Sequence, residues 1–295
     1  MEAQKRILLD TDIGTDIDDA VCLAYLLAQM QRGAGVIEGI TTVSGAPEER
    51  AKLVSALCLT AGFPDIPIYP GSSLPLLQAS RDLTCPQAAV LEQLEHKKEF
   101  PQHQHIQFMI DTIRANPGEI TLLAIGPLTN IALLFAADPE IPSLLKELVL
   151  MCGRFASPVK EWNAYLDAYA TAMVYKANTP LHRSVGLDVT TKVTMKCEEV
   201  LAHFQHPLLK VVLTIAEVWF RKRDIITFHD PLAAAILFDP KLCTFRKGTV
   251  EVELLSQYVK GITYWNADEE KGRHEVAWTV DSEGFFKHFF DVFGN

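Results

Sequence analysis

The sequence predicts an α/β protein, a mostly parallel open sheet with helices packed on both faces. Short apolar runs alternate with longer helical patterns along the chain. The first runs are continuously apolar rather than alternating, as in strands buried on both sides. Polar residues that look out of place fall directly after those runs, where an open parallel sheet forms its ligand crevice. At 295 residues and 48% apolar content, the chain can bury a large core, as one α/β domain or two smaller ones. No low-complexity or Ser/Gly-rich linker divides it, so residues 1–295 are read as a single domain.

The elements follow in order. RILL, from Arg6, is the first strand, and a helix runs from Asp18 to Met30 with carboxylates at its N-terminus, where the helix dipole favours them. VIEGITTV is a second strand, PEERAKLVSALCLTAG a helix closing at Gly62, and IPIY a third strand. EITLLAIGPLTNIALLFAADP reads as strand, Gly-Pro turn and helix; KELVLMCG is a strand and DAYATAMVYKAN a helix. IITFHDPLAAAILFDP reads as a strand entering a helix. In the tail, EVAWTVDSEGFFKHFFDVF gives a last strand and a closing helix whose Phe residues suit core packing.

The formal charge of −10 argues against nucleic acid or an anionic membrane as the main partner, and leaves a small neutral ligand open. Six scattered cysteines without a CxxC pair suit reduced thiols, and the first strand leaves no room for a signal peptide. No apolar run approaches the ~18 residues of a membrane span. A cytoplasmic protein is expected.

The stretch DTDIGTDIDD places five aspartates in ten residues, and their mutual repulsion needs solvent or a bound cation to relieve it. Asp10 and Asp12 follow the first strand, Ile125-Gly126 closes TLLAI, and His229-Asp230 follow IITF. Asp12, Asp19 and Asp230 are therefore expected to converge across the crevice. Carboxylates, a backbone carbonyl and water make an all-oxygen shell, which suits Ca²⁺, suits Mg²⁺ less well, and does not suit zinc.

DTDIGTDIDDAVCL resembles the aspartate signature of the inosine–uridine-preferring nucleoside hydrolase family, D-x-D-x-G-x-D-D or its form with two more residues. The resemblance continues through ITTVSG, LLAIGPLTNIAL, VLMCGR, EWNAYLDAYAT, VGLDVTTKV and FHDPLAA, in family order over nearly the whole chain. It implies a Rossmann-like parallel sheet and a Ca²⁺-dependent hydrolase that cleaves a ribonucleoside into ribose and base. By this resemblance Asp12 is a calcium ligand and general base toward water, Asp19 a bidentate ligand, and Asp18 a partner of a ribose hydroxyl. The carbonyl of Ile125 matches the family's backbone ligand, and Asp230 completes the shell and touches the ribose. Glu161 and Asn163, from EWN, hold the sugar hydroxyls, and His229 is the candidate proton donor to the leaving base. A homodimer or homotetramer is implied by resemblance alone.

The chemistry asked of these residues is coherent. Breaking an N-glycosidic bond passes through an oxocarbenium-like state, so carboxylates belong at the ribose and a donor at the base. Each residue also has a plainer reading: Asp18 as a helix cap, His229 as a buried histidine, Glu161 and Asn163 on a surface loop. Trp162, Tyr165 and Trp265 suit core or lid packing as well as base stacking, and Asp16 suits either the metal's surroundings or water.

Departures from the family fall at the base side. Ala46 stands where many members place Asn or Asp, Ser80 to Pro86 lack the usual His-Gly-x-Asp-Gly-Leu-Gly block, and the loop RFASPVK lacks an Asn. An unusual base or another N-riboside is thus an alternative substrate, and a calcium-dependent nucleoside-binding protein without turnover an alternative function. LLDTDIGTD also resembles the start of a haloacid-dehalogenase-type phosphatase, but Gly14 breaks that motif and the later Lys and acidic pair are missing.

Overall fold

The computed structural model describes residues 4–77 and 84–294. Its strands are β1 (Lys5–Thr11), β2 (Gly35–Thr42), β3 (Ile68–Pro70), β4 (Ile120–Ala124), β5 (Glu147–Leu150), β6 (His182–Ser184), β7 (Thr194–Lys196), β8 (Ile225–Thr227), β9 (Cys243–Val252), β10 (Thr263–Ala267) and β11 (His274–Val280). Nine of them form one sheet in the order β10-β9-β11-β6-β5-β4-β1-β2-β3. Every pairing from β11 to β3 is parallel, and only β9 pairs antiparallel, with β10 and β11. The mostly parallel α/β sheet is the architecture the apolar runs predicted.

Helices cover both faces because the central strands are apolar on both. Ile7, Leu9, Leu123 and Val149 point into one core, shared with the helices Asp18–Gln31, Pro47–Thr60, Pro207–Phe220 and Ser282–Val292. Their neighbours Leu8, Leu122, Leu148 and Leu150 point into the other, with the helices His105–Ala115, Thr129–Ala137 and Ala168–Lys176. This is the two-residue side-chain period of a strand, read off in two separate cores. Phe285 and Phe289 are fully buried against Phe228, with ring centroids 5.9 and 5.6 Å away, so the closing helix does pack its aromatics inward.

The sheet departs from the expectation at one place that bears on function. IITF does not supply a strand of the parallel sheet: β8 pairs antiparallel with β7 in a separate two-stranded ribbon. Ile225 to Thr227 pair only with Thr194 to Lys196, and Phe228 leaves the ribbon to enter the core. His229 and Asp230 therefore reach the crevice on the helix His229–Ala235, which packs against the helix Asp18–Gln31. The β9–β10 hairpin was not foreseen, because its strands are half exposed and lack a continuous apolar run. Among the described residues, no helix is long and apolar enough to cross a membrane.

Candidate active site

Parallel pairing brings the carboxyl ends of β1, β4 and β5 side by side. Ile125 N–H donates to the carbonyl of Asp10 and Met151 N–H to that of Ala124, which sets Asp12, Ile125 and Met151 along one edge. Asp10 itself is buried in the sheet, accepting from the Thr41 hydroxyl and from Asn130 Nδ2 at 2.7 Å. Burial pushes its carboxyl up to about 7, and it ties the strands together rather than facing a ligand. Beyond Asp12 the chain turns at Gly14, whose φ of +112° favours glycine, and a Cβ there would meet Cys85 Sγ at 2.3 Å. Gly126 allows a second close approach: a Cβ on it would lie 2.9 Å from Asp12 N and Oδ1.

Arg50 braces this loop. Its guanidinium is 1% exposed and donates to the carbonyls of Asp12, Ile13 and Ser44, the last two at 2.8 Å, and to Thr15 Oγ1 at 3.0 Å. The positive charge also works against the burial that raises the Asp12 carboxyl, which nevertheless stands at about 6.

Asp18, Asp19 and Asp230 each present a carboxylate oxygen within 4.8 Å of the others, all buried. Asp19 Oδ1 accepts from the Thr11 hydroxyl at 2.5 Å, and Asp18 Oδ2 from the backbone N–H of Asp230 at 3.0 Å. Asp18 is the first residue of its helix, whose N-cap Ile17 makes no side-chain cap bond. Burial first, and then the neighbouring carboxylates, push Asp18 and Asp230 well above the ordinary range; for Asp19 the order is burial and then Asp12. Half-buried Asp16 faces the same cavity with its carboxyl at about 6, and its Oδ1 accepts from Ile17 N–H at 2.6 Å. No Lys or Arg forms an ion pair with these groups among the described residues. Clustered, buried, all-oxygen donors fit a hard cation.

The cluster opens into a cavity of about 490 Å³, within the range of small-molecule sites. Glu161 and Asn163 line its wall. The Glu161 carboxylate accepts from the backbone N–H groups of Gly153, Asn163 and Ala164 at 3.0, 2.7 and 2.8 Å, which also caps the helix Trp162–Leu166. Asn163 Nδ2 donates to the carbonyls of Ile125 and Met151 at 2.9 and 3.0 Å, leaving its Oδ1 for a ligand. His229 also lines the cavity, its Nδ1 2.7 Å from Thr190 Oγ1, and burial lowers its pKa to about 4.

A profile of the inosine-uridine preferring nucleoside hydrolases matches residues 7–287. The chain belongs to that family. Uridine nucleosidase 1 of Arabidopsis thaliana is 29% identical over 96% of this chain and 91% of its own. The pyrimidine-specific ribonucleoside hydrolase RihA of Escherichia coli O7:K1 is 29% identical over 95% of each chain. A purine-preferring ribonucleoside hydrolase from Gardnerella vaginalis, 22% identical, superposes with a TM-score of 0.83 over 98% of both chains and shares the fold. Members of the nucleoside hydrolase family are metal-dependent enzymes that cleave N-glycosidic bonds.

In this nucleoside hydrolase, Asp12, Asp18, Asp19, Ile125, Glu161, Asn163, His229 and Asp230 all line the one cavity. The tightest carboxylate triple contains Asp18 rather than Asp12. Trp162 and Tyr165 face the cavity, whereas Trp265 sits on β10 against a core. Ala46 is the N-cap of the helix Pro47–Thr60, outside the cavity lining. Of the segment Ser80 to Pro86, residues 80–83 lie outside the described residues. Sequence reasoning missed Trp219, Arg223 and Lys160 on the cavity wall, and Arg50 behind it. Arg50 did carry a signal: it falls on the helical face of Leu53, Val54 and Leu57, an inward position for a cation.

Proposed function

We propose that this protein is a Ca²⁺-dependent ribonucleoside hydrolase that releases ribose and a nucleobase, with Asp12 as general base. The observation that carries the reading is the meeting of Asp12, Asp18, Asp19 and Asp230 with Glu161 and Asn163 around one cavity, although 212 residues separate Asp18 from Asp230. Asp12, Asp19 and Asp230 would hold the ion together with the Ile125 carbonyl, which keeps a lone pair beside its bond from Asn163. When bound, Ca²⁺ supplies charge that orients a neighbouring water and makes it more acidic.

Asp12 takes the proton of that water on a carboxylate oxygen, with its backbone held by Arg50. Asp18 accepts from a ribose hydroxyl, and Glu161 and the free Oδ1 of Asn163 accept from the others. Together these groups fix the sugar at attack distance and favour the positive charge it acquires. His229 is neutral at neutral pH, so its donor form is the tautomer in which the Thr190 hydroxyl donates to Nδ1 and the proton sits on Nε2. From there it passes to the departing base. The substrate is a free small molecule; the scattered cysteines suit a cytoplasmic protein, and the family resemblance implies a homodimer or homotetramer.

Chromatography of common ribonucleosides incubated with the protein, with and without a chelator, tests the reading. Chelator-sensitive release of free base is expected; intact nucleosides in both arms would overturn it.

A further inference from the structure

The wall of the cavity is charged in a way that a neutral nucleobase does not require. Its floor carries the carboxylates of Asp12, Asp18, Asp19 and Asp230, while Lys160 and Arg223 line it from two different loops. Each cation lies on an aromatic ring that also lines the cavity: Lys160 Nζ is 4.1 Å from the Tyr165 centroid, and Arg223 Cζ is 5.8 Å from that of Trp219. The indole of Trp219 is held in place by its Nε1–H, which donates to the Ile225 carbonyl at 2.9 Å. Trp162, on the same wall, is 51% exposed.

Neither cation pairs with a carboxylate among the described residues, whereas Arg6, Arg114 and Arg183 all do. Acids are not scarce in a chain with 37 of them against 27 Lys and Arg. Two half-free cations beside exposed aromatic surface make a site for a planar ring or sugar that carries a negative charge.

We propose that the preferred substrate is an N-riboside bearing an anionic group, either a carboxylate on the base or a phosphate on the sugar. The inference rests on the N-ribosyl hydrolase reading and specifies its substrate. Lys160 and Arg223 meet the anion, the Asp12–Asp230 floor receives the ribose, and the aromatic rings take the base.

The test compares kcat/KM for uridine, orotidine and uridine 5′-monophosphate, using wild type, Lys160→Met and Arg223→Met at one ionic strength and one calcium concentration. Both cations are at the surface of the cavity, so the variants fold. One anionic substrate is expected to exceed uridine, and its advantage should fall by about two- to fivefold in a variant, the scale of one partly solvated ion pair. Preference for orotidine assigns the anion to the base, and preference for the monophosphate assigns it to the sugar. Uridine cleaved best by wild type, or a ratio that neither variant changes, overturns the anionic substrate while leaving nucleoside hydrolysis standing. No cleavage of any of the three overturns the anionic substrate, and if inosine and adenosine also stay intact in the same assay, nucleoside hydrolysis is overturned with it.

Discussion

The guanidinium of Arg50 donates from Nη1 to the backbone carbonyls of both Asp12 and Ile13, so a buried cation on one helix holds the loop that carries Asp12, the proposed general base. It does so without pairing to any acidic side chain among the described residues. Arg50→Met leaves these carbonyls unmatched in the interior and is expected to cost about 3 kcal/mol or more in urea unfolding. Arg50→Lys keeps the charge but not the fork, and should fall between. Calorimetric titration with Ca²⁺ should show weaker binding in both variants, and unchanged affinity would remove Arg50 from the support of the metal site.

Asp12→Asn removes a proton acceptor while preserving shape. A fall in kcat of roughly 10²–10⁴ is expected. The metal-free variant should melt no lower than wild type, since it loses one buried charge from a repelling group. Near-normal turnover would contradict the role of Asp12 as base.

Metal-free protein should lose stability as pH rises. Burial holds Asp10 at about 7 and Asp12 and Asp16 at about 6, above the ordinary carboxylate value of 3.8, and Asp18, Asp19 and Asp230 are raised as well. The folded state therefore binds more protons than the unfolded state between pH 3.8 and about 7, and stability declines across that window. Thermal melts in chelator from pH 4 to pH 8 should show the decline, and saturating Ca²⁺ should flatten it. A flat chelated profile would mean the carboxylates are relieved some other way.

His229→Ala should slow nucleosides with poor leaving groups more than an activated aryl riboside, because only the former need a proton. Wild-type rates should carry no His229 titration between about pH 5 and pH 8, since burial places its pKa near 4. Equal slowing of both substrate types would remove His229 from the donor role.

Much of the fold was legible because strands buried on two faces need uninterrupted apolar runs, and Ile7 to Leu9, Leu122 to Ala124 and Leu148 to Leu150 supply them. The acid cluster was legible because aspartates so close together at the end of such a run repel one another, although Asp10 is taken up by the sheet. What escaped notice was decided by pairing rather than pattern. Ile225–Thr227 is apolar enough for the main sheet, yet it finds its partner in Thr194–Lys196. Lys160, Trp219 and Arg223 sit in loops or at a helix end, where only the folded chain shows that they share a wall.

Asp230 sits on the helix that follows a ribbon outside the main sheet, and it closes a cluster begun near the N-terminus. A ribosome delivers Asp12 and Asp19 first and Asp230 only 211 residues after Asp19. A nascent chain with its first five parallel strands already folded thus lacks one corner of the carboxylate cluster. The acid cluster is thus a property of the finished fold and not of the unit of parallel strands that begins it.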